Sequence, residues 1–198
     1  MKLKEGILLI LGLLMGFMVV NMSFGVNNVI DQNVYFNSNT VAPTVTVPPQ
    51  PGIPLRLKIE KLNIDAPVEN VGLDSENKMD VPKDADNGGW FEYGFRPGEK
   101  GNAVIAGHLD KVTGAPAIFY NLSSLEAGDK IEIVDDKEKN YTFSVVKIAE
   151  YPYDNFPLQE VFGTNVDARL NLITCNGVYD LNKKTYLKRL VVYTQLLQ

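Results

Sequence analysis

Cysteine, histidine and tryptophan each occur only once in this chain of 198 residues. One cysteine excludes an internal disulfide, and one cysteine with one histidine is too few for the ligand sets that hold zinc. The sequence therefore predicts no metal site, and no motif in it indicates a cofactor. Basic residues are also scarce, 19 against 24 acidic residues with no long basic block, which argues against a nucleic-acid partner.

Charged side chains are absent from residues 6–30, and residues 7–20 are almost entirely apolar. A segment of about 20 apolar residues is long enough to cross a bilayer. Lys2 and Lys4 precede this segment, so the positive-inside rule places the N-terminus in the cytoplasm and the bulk of the chain on the extracellular face. We therefore predict an anchor over residues 1–26 that contacts membrane lipid and crosses the cell membrane once.

A cleaved secretory signal is the alternative interpretation of the same segment. Its apolar centre has only 14 residues, and small residues follow at Ser23 and Gly25, a spacing found at cleavage sites. Both interpretations export the rest of the chain.

Proline is frequent in the segment that follows, residues 27–53, with four prolines between positions 43 and 51. Prolines at this density favour an extended backbone without regular hydrogen bonding. We interpret this segment as a linker that holds a domain away from the membrane. Residues 54–198 are numerous enough for one globular domain with its own core.

Short apolar runs and apolar residues at alternate positions dominate residues 54–198. Both patterns are typical of β-strands, and they recur over seven segments: 55–59, 64–71, 103–106, 130–134, 141–148, 170–174 and 187–196. Residues 117–125 instead have the spacing of a short helix, and residues 149–168 form a long stretch without a regular pattern. We predict a mainly β fold, a closed or nearly closed β-barrel with one or two short helices.

The single cysteine and the single histidine each follow a strand-like run. Cys175 ends one such run, His108 comes directly after another, and Arg189 stands at the start of the last one. Strand ends on a rigid scaffold often carry catalytic side chains. A thiol, an imidazole and a guanidinium together supply a nucleophile, a base and an anion stabiliser. Arg169 is the rival candidate for the last role, because it comes just before the cysteine strand.

These residues resemble the signature of the sortases, the cysteine transpeptidases of the Gram-positive cell surface. The resemblance rests on Gly107-His108, then on Leu172-Ile173-Thr174-Cys175 after 67 positions, and on Arg189 after 14 more. Asn171 stands where the family motif Thr-Leu-x-Thr-Cys has its first threonine. The segment that begins with Gly107-His108-Leu109-Asp110 is most similar to class F, with classes D and E close behind.

The resemblance implies an eight-stranded sortase barrel with a peptide groove beside the cysteine. It implies that Cys175 is the nucleophile, that His108 transfers protons and that Arg189 stabilises the oxyanion. The predicted substrate contacts are Thr174 and three apolar side chains of the stretch before the cysteine strand, namely Phe156, Leu158 and Val161.

The substrates that the resemblance implies are surface proteins with a C-terminal sorting signal similar to Leu-Pro-x-Thr-Gly. The implied acceptor is an amine of a cell-wall precursor or of a pilin. Two other functions remain open. An exported cysteine peptidase would use water as the acceptor, and a non-catalytic barrel would only bind peptides.

Overall fold

The computed structural model describes residues 49–197, which contain eight β-strands, one short α-helix and two 3₁₀ turns. The strands are β1 (Pro54–Ile59), β2 (Ile64–Val71), β3 (Gly88–Phe91), β4 (Gly101–Ala106), β5 (Lys130–Asp135), β6 (Asn140–Pro152), β7 (Ala168–Asp180) and β8 (Thr185–Leu196). Helix α1 spans Leu158–Phe162, and the 3₁₀ turns are Glu60–Leu62 and Leu122–Ser124.

The strands close into one barrel in the order β1-β2-β3-β4-β7-β8-β6-β5. Two neighbouring pairs are parallel, β2 with β3 and β4 with β7, and the other neighbours are antiparallel. Parallel neighbours require long connections, which are residues 72–87 and residues 107–167. The prediction of a closed, mainly β barrel is confirmed.

The barrel interior is filled by apolar side chains that alternate along the strands. Full burial of one such side chain contributes about 1.5–3 kcal/mol to stability. Members of this core that are completely buried include Leu57, Ile59, Ala103, Ile105, Phe119, Leu122, Ile131, Ile133, Leu170, Leu172 and Val192. Because side chains alternate along a strand, the residues between these positions point to the outside of the barrel wall.

A second apolar cluster, the outer cluster, lies on the outside of β4, β7 and β8. Its buried members are Val104, Ile173, Val191 and Tyr193 from these strands and Val161 from α1. The outer face of this wall is therefore partly covered by the chain that connects β6 to β7.

Two asparagine side chains attach α1 to this wall. Asn102 Nδ2 donates to the carbonyl oxygen of Glu160 at 3.0 Å, and Asn171 Nδ2 donates to that of Val161 at 2.8 Å. Carbonyls in the last turn of a helix have no partner within the helix. The asparagine that replaces the first threonine of the motif therefore has a structural role, since it satisfies one of these carbonyls.

Residues 117–125 are not the α-helix that their spacing predicts. Their backbone hydrogen bonds join residues three apart, as in Tyr120 N to Ala117 O at 3.1 Å and Leu122 N to Phe119 O at 3.1 Å. The segment is thus a series of tight turns that ends in the 3₁₀ turn Leu122–Ser124. This geometry buries Phe119, Leu122 and Leu125, which are spaced by three residues and not by the average of 3.6 of an α-helix.

The stretch 149–168, predicted to be irregular, is partly regular. β6 continues to Pro152, and α1 occupies five residues, Leu158–Phe162. A helix of this length is too short to leave a periodic pattern in the sequence. β3 was also not predicted, because its first two residues, Gly88 and Gly89, are weak strand formers.

The predicted anchor, residues 1–26, lies outside the described residues, as does most of the predicted linker. Within residues 49–197, none of the helical segments has the length and apolar composition that a membrane crossing requires. The first described strand begins at Pro54.

One buried carboxylate holds the turn between β5 and β6 and the chain that enters the barrel. Asp135 is 2% exposed and accepts hydrogen bonds from the backbone N–H groups of Gly52, Lys137 and Lys139 and from the Tyr141 hydroxyl. Burial by itself raises the pKa of Asp135, but these hydrogen bonds outweigh it and hold the pKa below its usual range.

Asp135→Asn should lower the free energy of unfolding at pH 7 by about 1–3 kcal/mol, because a buried, multiply bonded charge is replaced by a neutral group. The folded pKa lies below the unfolded value of about 3.9. The stabilisation is therefore complete above that value and is lost as the pH falls through the folded pKa. In urea denaturation, the difference in the free energy of unfolding between the wild type and Asp135→Asn should shrink as the pH is lowered. A difference that stays constant with pH would contradict this interpretation. Asp167→Asn, at an exposed position, is the control.

Candidate active site

Cys175 and Arg189 face each other across the antiparallel pair of β7 and β8. The register pairs Cys175 with Arg189, Ile173 with Val191 and Thr174 with Leu190. Ile173 and Val191 belong to the outer cluster, whereas Leu190 belongs to the barrel core. By alternation, Cys175 and Arg189 stand in the outer row, directly beyond Ile173 and Val191.

His108 follows β4 on the other side of β7. The parallel register pairs Ala106 with Ile173, and Gly107 N donates to Ile173 O at 3.0 Å. If this register is continued by two residues, His108 stands beside Cys175. Gly107 faces inward, because a Cβ atom there would lie 2.4 Å from the Phe119 ring in the core. His108, the next residue along the extended chain, therefore faces outward.

The registers of β4, β7 and β8 thus indicate one row for the three predicted catalytic residues on the outside of the barrel wall. Cys175 is in the middle, with His108 on the side of β4 and Arg189 on the side of β8. Neighbouring strands are about 4.8 Å apart, so the three side chains start from adjacent positions of one surface. Arg169, the rival arginine, pairs with Asn102 at the opposite end of β7. It is six residues from Cys175, about 20 Å along the strand.

The surroundings of the thiol act on its ionisation in opposite directions. Burial raises the pKa of Cys175, the positive charge of Arg189 lowers it and the negative charge of Asp110 raises it. The result is a pKa above the ordinary thiol value. In the absence of substrate, Cys175 is therefore predominantly a protonated thiol at neutral pH, and it needs a nearby base to become a nucleophile.

Arg189 is held in place by three residues of its own strand. Its Nη1 donates to the carbonyl oxygens of Tyr186 and Lys188, both at 2.9 Å, and its Nη2 donates to Thr185 Oγ1 at 3.1 Å. The guanidinium is thus ordered before any substrate binds. Its charge is not neutralised by these partners, because all three are uncharged oxygens.

The imidazole of His108 contacts the connection between β2 and β3. His108 Nε2 lies 2.9 Å from the carbonyl oxygen of Pro82. Its own backbone carbonyl accepts from Phe119 N at 3.0 Å, and Ala117 N donates to Leu109 O at 3.1 Å. Both the ring and the backbone of His108 are therefore held by neighbouring segments.

Asp110 and Tyr186 connect the chain after His108 with β8. The Tyr186 hydroxyl donates to Asp110 Oδ2. This hydrogen bond, together with burial and the charge of Asp110, raises the pKa of Tyr186 to about 12. Because Tyr186 O also accepts from Arg189, this tyrosine contacts two of the charged groups around the thiol. The sequence gives no signal that identifies Tyr186 or Pro82.

The four predicted substrate contacts have different positions. Leu158 is 65% exposed at the start of α1, and Phe156 is half-buried and packs edge-on against Tyr151. Val161 is completely buried in the outer cluster. Thr174 faces the barrel interior, is 3% exposed, and its hydroxyl has no hydrogen-bond partner within residues 49–197. The structure therefore brings neither Val161 nor Thr174 to the exposed surface beside Cys175.

Two cavities in the described part of the chain lie away from this row. One of about 310 Å³ is lined by residues of β2 and of the segment 116–121, and one of about 490 Å³ is lined mainly by residues 90–96. His108, Cys175 and Arg189 line neither of them. Cys175 is instead partly exposed on the outer side of the wall, a position that suits an extended chain better than a small enclosed ligand.

A cysteine, a histidine and an arginine on the wall of a closed β-barrel provide the chemical groups that a thiol-dependent acyl transfer requires. Residues 57–197 match the family model described as the sortase domain. The chain therefore belongs to the sortase family.

Solved sortase structures share the fold at low sequence identity. Sortase A from Corynebacterium diphtheriae is 18% identical with a TM-score of 0.57, and the match covers 75% of this chain and 62% of that one. Sortase C-1 from Actinomyces oris is 20% identical with a TM-score of 0.57, covering 73% and 71%. Sortase A from Listeria monocytogenes is 21% identical with a TM-score of 0.55, covering 74% and 88%.

The chain thus spans 62% of the length of the Corynebacterium structure. No curated protein matches the sequence. These structures are of classes A and C.

The two charges beside Cys175 should shift its reactivity in opposite directions. Arg189→Gln removes the charge that lowers the thiol pKa, so the midpoint of the alkylation rate against pH should rise. Asp110→Asn removes the charge that raises it, so the midpoint should fall, while the amide oxygen can still accept from Tyr186. Iodoacetamide labelling measures this, because Cys175 is the single thiol of the chain. Shifts in the same direction would contradict the assignment, and Cys175→Ala is the control for labelling.

Proposed function

We propose that this protein is a membrane-anchored transpeptidase that cleaves a Leu-Pro-x-Thr-Gly-like sorting signal and transfers the acyl part to an amine. The observation that carries the proposal is the single outer row of His108, Cys175 and Arg189. The row contains the three chemical groups that an acyl transfer through a thioester requires. Membership of the sortase family supports the same proposal.

The first half of the reaction makes a thioester. Cys175 gives its proton to neutral His108, and its sulfur attacks the carbonyl carbon of the scissile peptide bond. The tetrahedral intermediate collapses as the C–N bond breaks, and protonated His108 gives a proton to the departing amine. The products are a Cys175 thioester and a free peptide amine, so the energy of the broken amide bond is largely retained.

The second half transfers the acyl group. Neutral His108 accepts a proton from the incoming amine, which attacks the thioester carbonyl and forms a new amide bond. The Cys175 sulfur leaves and takes a proton from His108. With water in place of the amine, the same steps would give hydrolysis, so the accessibility of the thioester to an amine decides between transfer and peptidase activity.

Arg189 is the proposed oxyanion stabiliser. Both half-reactions place a negative oxygen next to the sulfur, and positively charged donors that are already ordered stabilise such an oxygen by several kcal/mol. A guanidinium suits this role because it stays charged and presents several donors in one plane. Its partners are uncharged oxygens, so one of these contacts can be exchanged for the oxyanion without loss of an ion pair.

The peptide is proposed to lie on the outer surface next to α1 and the chain before it. Among the apolar side chains there, Leu158 is exposed and Phe156 is half-buried. A Leu-Pro segment would bury apolar area against them. Val161 would act indirectly by holding α1 on the wall, and Thr174 by packing beneath the cysteine.

The location and the subclass are proposed from the sequence. Residues 1–26 would anchor the protein in membrane lipid, residues 27–53 would span the distance to the catalytic domain, and residues 54–198 would act on the extracellular face. The substrates would be surface proteins, and the acceptor an amine of a cell-wall precursor or of a pilin. The segment from Gly107 to Asp110 favours class F over classes D and E.

Mass spectrometry tests the thioester and the acceptor together. With a Leu-Pro-x-Thr-Gly peptide alone, the protein should gain the mass of the acyl fragment at Cys175, and Cys175→Ala should gain none. Added amine, triglycine for example, should remove this mass and yield the joined peptide. Acyl capture by Cys175→Ala would refute the proposal. Release of only the hydrolysed fragment in the presence of amine would favour the peptidase.

The two candidate arginines can be separated by conservative substitution. Arg189→Lys keeps the charge but loses the planar donors, and kcat/KM should fall about 100-fold or more. Arg169→Lys should have a much smaller effect, since this residue lies at the far end of β7. Transpeptidation rates of both variants, with melting temperatures to check folding, measure this difference. Equal losses would remove the assignment of Arg189.

A further inference from the structure

Residues 82–87, which we call the Pro82 loop, lie between β2 and β3 next to His108. Pro82 O is 2.9 Å from His108 Nε2. A carbonyl oxygen has no hydrogen and can only accept, so Nε2 must carry the proton in this contact. In the neutral ring the unprotonated nitrogen is then Nδ1. The contact therefore selects one of the two tautomers of His108.

Pro82 is fixed by packing. It is buried against β3, where a Cβ atom on Gly89 would lie 2.9 Å from Pro82 Cδ and 2.9 Å from Val71 Cγ1. The glycine thus permits a close approach that any larger residue would prevent. Because β3 is part of the barrel, the position of the Pro82 carbonyl is tied to the same scaffold that carries His108.

Glu69 on β2 holds the residues that follow Pro82. Its carboxylate accepts from Lys83 N at 3.0 Å, from Asp84 N at 3.1 Å and from Asn87 Nδ2 at 2.9 Å. Burial raises the pKa of Glu69, but these hydrogen bonds outweigh it and hold the pKa below its usual range. A single carboxylate therefore organises the loop from one end to the other.

The Pro82 loop is also tied to the chain that follows His108. Ile118 N donates to Ala85 O at 3.1 Å, and Lys111 Nζ forms an ion pair with Asp86 Oδ2 at 2.6 Å. The loop thus has fixed contacts on both sides, with Glu69 on the barrel and with the segment that carries the imidazole. A change at Glu69 can reach His108 through these contacts.

We propose that Glu69 is a positioning residue that acts through the Pro82 carbonyl, which keeps the proton of neutral His108 on Nε2 and leaves Nδ1 to exchange protons during catalysis. The catalytic half of this inference rests on the proposed function, since it takes His108 as the proton-transfer group. The structural half, which concerns the tautomer, does not.

Nitrogen NMR of the full chain labelled with ¹⁵N-histidine tests the structural half without substrate. The chain has one histidine, so the spectrum contains one pair of ring nitrogens. The neutral ring should show Nε2 protonated and Nδ1 unprotonated. Glu69→Ala should increase the fraction of the other tautomer. A wild-type ring protonated mainly at Nδ1, or a tautomer ratio that Glu69→Ala leaves unchanged, would overturn the proposal.

Steady-state transpeptidation tests the catalytic half. Glu69→Ala should lower kcat about tenfold through misplacement of the imidazole, with KM unchanged because Glu69 does not touch the peptide. Glu69→Gln keeps one acceptor oxygen and the side-chain shape, so it should recover part of the rate. Glu69→Gln also replaces Glu69→Ala as the test variant if Glu69→Ala does not fold. Glu60→Ala, an exposed glutamate without a side-chain hydrogen bond within the described residues, is the matched control.

The outcomes separate this proposal from the proposed function. A rise in KM alone, or no recovery in Glu69→Gln, would overturn the positioning role while acyl capture by Cys175 still stood. Absence of acyl capture together with the expected tautomer would refute the transpeptidase and leave the structural half supported.

Discussion

The parallel pairing of β4 with β7 is the constraint on which the rest of the site depends. It joins two strands that are more than 60 positions apart in the chain, and its register, Ala106 with Ile173, decides where His108 stands relative to Cys175. A slip of one residue would turn the side chains of one strand to the opposite face. A slip of two residues would keep the face but move the imidazole by almost 7 Å along the strand, about twice the rise per residue. The alternation of Ala103 and Ile105, which belong to the core, with Val104, which belongs to the outer cluster, resists the slip of one residue.

Much of this arrangement could be predicted from the sequence. Short apolar runs and apolar residues at alternate positions identify seven of the eight strands. The single cysteine and histidine stand out because each follows such a strand. What the sequence cannot supply is which strands are neighbours. Pairing between distant strands depends on the whole core, and only the similarity to a known family linked the three residues before the structure did.

The remaining differences have local causes. Residues 117–125 have apolar side chains at a spacing that fits a helix approximately, but burial of Phe119, Leu122 and Leu125 in one core favours tight turns. The helix α1 depends on tertiary contacts, because Asn102 and Asn171 bind the carbonyls at its end. The contacts of Pro82 and Tyr186 involve a backbone carbonyl and a hydroxyl, neither of which has a sequence pattern. In each case the decisive partner comes from a distant part of the chain.

The placement of the row on the outside of the barrel wall separates the packing of a stable core from the binding of a substrate, two demands that compete in many enzymes. The interior holds the cluster of buried apolar side chains that stabilises the fold. The reacting groups and the apolar residues around α1 sit on the other side of the same strands. Changes among these surface residues can therefore alter which peptides are accepted while the hydrophobic packing inside stays intact. Such an architecture lets one scaffold diversify in selectivity at little risk to its folding.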